Sequence, residues 1–179
     1  CTFATSGNEF TSTISINNNA LYNFTSFNFE AVGISGRNGP TLANALNYYN
    51  TSTYPWLNNT SYFNVVSGVQ YWTVPQTGNY LINAYGAGAR VNGAWTNNNS
   101  GGGARIQDTF ALTQGEVIYI LVGQQPNTTV SSANGGSGGT FVIRTPYDTN
   151  GAILVIAGGA GGGESNPPTN SLQYGRIST

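Results

Sequence analysis

Six carboxylates are the side chains here best suited to catalysis: Glu9, Glu30, Asp108, Glu116, Asp148 and Glu164. Two of them on opposite sides of a cleft would suffice for glycoside hydrolysis, one protonating the leaving oxygen while the other attacks or activates water. Nothing in their spacing singles out a pair. The chain has no histidine and a single cysteine, Cys1, which excludes a Ser-His-Asp or Cys-His relay and a zinc centre. It also has no lysine, so a G-x-x-x-x-G-K phosphate loop cannot be built. Gly86-Ala87-Gly88-Ala89-Arg90 lacks the G-x-G-x-x-G spacing, and no helical pattern follows it. Asp148-Thr149-Asn150-Gly151 is a weak calcium candidate without the terminal glutamate of an EF-hand loop. The expectation is a non-enzymatic protein that uses neither metal nor cofactor.

Other residue types point to modification and contact rather than turnover. Asn-X-Ser/Thr acceptors for N-linked glycans occur at Asn23, Asn50, Asn58, Asn59, Asn98 and Asn127. A chain this rich in asparagine, serine and threonine produces about that many by chance. Cys1 is compatible with a processed chain end, an intermolecular disulfide or a lipid-modified N-terminus, the last being the one route to a membrane. Trp56, Trp72 and Trp95 could stack on sugars, although aromatics at strand spacing are more often core. Of the three, Trp72 reads as core and Trp95 as the better surface candidate.

Charged residues are 6% of the 179 residues, with a net charge of −1, against about 25% in an average globular protein. All five basic residues are arginine: Arg37, Arg90, Arg105, Arg144 and Arg176. Without a basic cluster the chain lacks the field that nucleic acid or an anionic membrane requires. Hydrophobic residues at 39% are enough for a folded core. A near-neutral surface favours association unless glycans hydrate it.

The elements that must position these residues are strands. Phe10, Ile14 and Ile16 alternate with Thr11, Thr13 and Ser15, which predicts a half-buried strand closed by the Asn17-Asn18-Asn19 hinge. A further strand is expected within Leu21–Val32, with Phe27, Phe29 and Ala31 on one side, and a short helix at Leu42–Leu46. Strands then recur at 62–66, 69–74, 80–85, 104–112, 117–122, 140–144 and 153–157, the rhythm of a sandwich or barrel. The apolar runs Val117–Val122 and Ile153–Ala157 suit central strands. Asp108, in line with Ile106 and Phe110, suggests burial beside an arginine. Pro75–Gly78, Thr113–Gly115 and Asp148–Gly151 read as hairpin connections.

Two stretches carry a resemblance: Gly68-Val69-Gln70-Tyr71-Trp72-Thr73-Val74-Pro75 with Thr77-Gly78-Asn79-Tyr80-Leu81-Ile82-Asn83-Ala84-Tyr85-Gly86-Ala87, and Tyr119-Ile120-Leu121-Val122-Gly123-Gln124-Gln125. Gly33-x-Ser35-Gly36-Arg37-x-Gly39-Pro40-Thr41 precedes them in matching order. Together they resemble the glycine-rich, TNF-like extracellular module of the anaplastic lymphoma kinase and leukocyte tyrosine kinase receptors. The resemblance implies an all-β, antiparallel jelly-roll sandwich whose glycine-rich insertions pack as polyglycine helices, here short ones at 100–104, 134–140 and 157–163. The family's paired cysteines are missing, so receptor signalling is not implied.

Composition and pattern favour a secreted structural subunit that assembles with copies of itself into a fibre, filament or coat and carries covalently attached glycans. Residues 1–19 would be a strand and hinge donated to a neighbour through Phe10, Ile14 and Ile16, and residues 20–179 the sandwich. The alternative is a ligand- or carbohydrate-binding module of a surface receptor or adhesin, with loops near Trp56 and Trp95 setting specificity.

Overall fold

A computed structural model of the chain describes residues 1–5, 19–89, 101–127, 133–147 and 149–164. Two antiparallel sheets face each other. The first contains β1 (Thr2–Thr5), β2 (Ser26–Asn28), β5 (Gly78–Tyr85) and β6 (Arg105–Leu112) in the order β2-β1-β5-β6. The second contains β3 (Phe63–Val66), β4 (Val69–Thr73), β7 (Val117–Leu121), β9 (Thr140–Arg144) and β10 (Ile153–Ala157) in the order β10-β9-β7-β4-β3. A two-residue pairing of β8 (Ala133–Asn134) with β11 (Gly163–Glu164) lies apart. The chain is an all-β sandwich.

Period-two alternation makes the core. Tyr80, Ile82 and Ala84 from one sheet meet Trp72, Ile118, Ile120, Val142 and Val155 from the other in a single buried cluster. Helix α1 (Leu42–Tyr48) and a 3-10 turn at Pro55–Asn58 cap this core. Thr41 starts α1 with a reciprocal capping box, its hydroxyl accepting from Asn44 N while the Asn44 side chain accepts from Thr41 N. Buried Gln70 then ties the helix end to β4: the Tyr49 hydroxyl donates to Gln70 Oε1 at 2.8 Å, and Gln70 Nε2 donates to Glu30 O at 2.9 Å.

Several sequence expectations need correction. Ile153–Ala157 is an edge strand rather than a central one, with Ile153 47% and Ile156 44% exposed. Its second apolar face belongs to an open sheet surface, not to a covering layer. Pro75–Gly78 and Thr113–Gly115 carry the chain from one sheet to the other, because β4 and β7 lie in one sheet and β5 and β6 in its partner. Turn residues dictate reversal of the chain but not which sheet receives the next strand. A tight hairpin forms at β3–β4, which turns on Ser67 and Gly68, both left-handed at φ 50° and 84°, the geometry of a two-residue type I′ turn. The connection from β9 to β10 joins antiparallel neighbours, as a hairpin connection should, but it turns through a 3-10 helix at Asn150–Ala152 rather than a tight Asn-Gly pair. Asp108 is exposed on edge strand β6, where its carboxylate accepts from Thr109 N at 2.7 Å instead of meeting an arginine. Within Leu21–Val32 only Ser26–Asn28 pairs as a strand.

Candidate functional site

The glycine-rich segments gather beyond the ends of β5, β7 and β9 and bond to one another through backbone. Gly86 N donates to Ala104 O at 2.9 Å, Ala87 N to Gly138 O at 3.1 Å and Ala160 N to Ala87 O at 2.9 Å. The segment after β5 thus has three neighbours, at 101–104, 136–138 and 158–160. Glycine is required for that spacing: a Cβ on Gly86 would fall on the Gly158 carbonyl, and one on Gly123 on the Gly138 carbonyl.

Beside this bundle lies an open groove of about 730 Å³, within the range of small-ligand sites. It is bounded by the Ser35–Asn38 loop, by Leu121–Gln124 and Pro126–Asn127 after β7, and by Gly136–Gly139. Hydrogen bonds hold these pieces together. Gly36 N donates to Gln125 O at 2.8 Å, and Gly138 N donates to Gln124 O at 2.9 Å. The Gln124 amide, oriented by its hydrogen-bond network, donates to Gly36 O at 2.9 Å and Asn38 O at 3.2 Å. Gly36 needs its φ of 91°, and its missing side chain lets Asn127 approach. Among the described residues the one charged lining residue is Arg37, exposed at the groove.

The three carboxylates whose side chains are described, Glu30, Asp108 and Glu116, are held apart on different partners. Glu116 pairs with Arg144 at 3.3 Å, Glu30 accepts from the Tyr48 hydroxyl at 2.7 Å, and Asp108 stands alone on β6. The Tyr48 hydroxyl is held above its ordinary pKa by that bond to Glu30, and burial raises those of Tyr22 and Tyr49 further. Glu9 and Asp148 lie outside the described residues. Trp56, expected near a specificity loop, is buried at 5% exposure against Tyr22, Phe24, Phe27 and Phe63. Aromatic neighbours distant in sequence claim it for the core. Trp72 is wholly buried, and Trp95 is outside the described residues.

Among the glycan acceptors, Asn23, Asn50, Asn58, Asn59 and Asn127 are exposed, and Asn98 is outside the described residues. Asn50 Oδ1 accepts from Ser52 N and Thr53 N, both at 3.1 Å, and Asn59 Oδ1 accepts from Ser61 N at 3.0 Å. Cys1 is half-buried against the core with a free thiol. Phe10, Ile14 and Ile16 lie outside the described residues, while Thr2–Thr5 pairs within its own chain between β2 and β5. Among the described residues no helix is long and apolar enough to cross a membrane.

Sequence reasoning missed the groove. Its residues were legible only as motif matches, since nothing in the spacing says that Ser35–Asn38 meets Leu121–Asn127 in space.

No protein-family model matches the chain. The mouse (Mus musculus) leukocyte tyrosine kinase receptor is 41% identical to it over 97 residues, which cover 54% of this chain and 11% of that receptor. The chain thus corresponds to a small part of a much longer relative. On these residues and this architecture, the chain resembles the glycine-rich extracellular module of the leukocyte tyrosine kinase and anaplastic lymphoma kinase receptors.

Proposed function

We propose that the chain is a non-enzymatic extracellular module of the surface-receptor type, which takes a ligand in the groove beside its glycine bundle. The observation that carries this reading is convergence. Gly36 and Arg37 of the first matching motif and Leu121–Gln124 of another line the same groove, locked together by the Gln124 amide. A site whose loops are tied together by long-range hydrogen bonds is preorganised for recognition. The similarity to a receptor favours this reading over the structural-subunit one. Glycans on the exposed asparagines away from the groove, Asn23, Asn50, Asn58 and Asn59, would hydrate a surface almost without charge.

A second reading, a subunit of a fibre, filament or coat, is favoured by the outward face of the five-stranded sheet. Across it Tyr71, Tyr119, Ile143 and Ile153 form one row and Leu121, Phe141 and Ile156 the next, and no charged side chain interrupts them. Apolar sheet faces of this kind mark contact surfaces. In this reading residues 1–19 act as strand and hinge and residues 20–179 as the sandwich; with Thr2–Thr5 paired at home, the donated part would be Phe10–Ile16.

Light scattering and electron microscopy of the purified chain, together with a screen against extracellular proteins and glycans, separate the two. Discrete particles with saturable binding that is lost on Leu121→Arg support the receptor reading. Ordered polymers without such binding overturn it.

A further inference from the structure

The hydrogen-bonding capacity left free in the groove sits on side chains, not on main chain. Gly36 N donates to Gln125 O at 2.8 Å, Gly138 N to Gln124 O at 2.9 Å, Ala87 N to Gly138 O at 3.1 Å and Gly123 N to Thr140 Oγ1 at 2.9 Å. The Gln124 amide engages Gly36 O and Asn38 O. An extended peptide is held by main-chain pairing, and these main-chain groups are already bonded inside the protein. By contrast, the Ser35 hydroxyl and the side-chain amides of Asn38 and Asn127 line the groove with no partner among the described residues. Asn38 and Asn127 are exposed there, and Ser35 is half-buried.

These free groups share one property. A side-chain amide sets an oxygen acceptor beside an NH2 donor, and a hydroxyl both donates and accepts. A ligand built of adjacent hydroxyls, each also donor and acceptor, satisfies both halves of such a group. A carboxylate only accepts, and would leave the amide oxygens unpaired. Leu121, 40% exposed, with Val122 and Pro126 adds an apolar wall suited to the C–H face of a sugar ring. The polar groups are also positioned before a ligand arrives. The Gln124 amide anchors the main chain at Gly36 and Asn38, and Gly36 at φ 91° makes room for Asn127, whose Cβ would lie 3.1 Å from a Cβ at position 36.

We infer that the groove binds a glycan, with neighbouring hydroxyls of a sugar ring on the Ser35, Asn38 and Asn127 side chains and the C–H face of the ring on Leu121 and Pro126. The inference rests on the receptor reading and names the ligand class for the same site.

The test uses the full chain made in bacteria, so that Asn127 itself carries no sugar, and a panel of hexasaccharides: neutral ones of the glucan, mannan and chitin types, and an oligouronate. At least one neutral hexasaccharide is expected to bind, moving the Asn38, Leu121 and Asn127 main-chain amide resonances, with an affinity little changed by salt. Asn38→Ala and Asn127→Ala should each weaken that binding about tenfold at an unchanged melting temperature. Undiminished binding by both variants overturns the assignment. So does binding confined to the oligouronate and lost with Arg37→Gln but not with the asparagine variants, since charge would then be the recognised feature. If every saccharide is silent while a protein from the extracellular screen binds and is lost with Leu121→Arg, the glycan inference fails and the receptor reading survives. If no partner of either kind binds, both fail.

Discussion

Glycine is where this chain is least tolerant of change, and the reason is contact rather than flexibility. A Cβ on Gly86 would collide with the Gly158 carbonyl and one on Gly103 with Gly86, whereas a Cβ on Gly78 meets nothing within 4 Å. Gly86→Ala is therefore expected to cost upwards of about 3 kcal/mol, since rigid backbone must move apart. Gly78→Ala should change stability by less than about 1 kcal/mol. Denaturant melts of the two variants check the contrast, which vanishes if the glycine segments are loosely packed. Trp56 makes a second point at this scale. Its indole nitrogen is buried without a hydrogen-bond partner among the described residues, so its value lies in ring area. Trp56→Phe removes an unsatisfied donor along with some area and should cost under about 1.5 kcal/mol, against about 3–5 kcal/mol for Trp56→Ala. Equal losses in the two variants would show that the nitrogen matters.

Between elements, the joint of helix α1 to β4 is polar. Tyr49 closes helix α1 by donating to Gln70 in the middle of β4, a residue only 1% exposed. Tyr49→Phe strips Gln70 Oε1 of that donor inside the core, so a loss of about 1–3 kcal/mol is expected. Pairing it with Gln70→Leu in a double-mutant cycle should recover part of the loss, because the acceptor goes too. Strict additivity would mean that the two residues act independently. Elements were legible in the sequence where alternation was clean: Thr140–Arg144 and Ile153–Ala157 form strands at the expected residues. Short strands such as β1 and β11 were not, because two to four residues cannot display a period and their pairing depends on partners far along the chain. The Ser67-Gly68 turn was also passed over, since a serine at positive φ is not a strong turn signal by itself.

The whole molecule should respond to alkali as a unit. Unfolded tyrosine ionises near pH 10, whereas burial holds the Tyr22 and Tyr49 hydroxyls well above that value, Tyr22 donating to Thr73 O and Tyr49 to Gln70. Above pH 10 the folded chain therefore keeps protons that the unfolded chain releases, and stability falls as pH rises; below pH 10 their contribution is fully present. Tyrosinate absorbance and near-ultraviolet circular dichroism, followed against pH, should show some of the eleven tyrosines ionising only as tertiary signal is lost. Smooth titration of all of them with the fold intact would contradict the burial of these two.

Sequence alone determined the class of fold and showed that this stretch of chain lacks the side chains for a histidine relay, a cysteine–histidine zinc site or a lysine phosphate loop. Alternation, turn residues and side-chain inventory are local or compositional properties that survive any arrangement of the chain. Tertiary structure decided what depends on distant residues meeting: that Trp56 belongs to the core, that β10 is an edge, that the turns after β4 and β6 switch sheets, and that Arg37 lines a groove with Leu121 and Gly138. Those outcomes follow from long-range pairing energies, which no window along the chain contains.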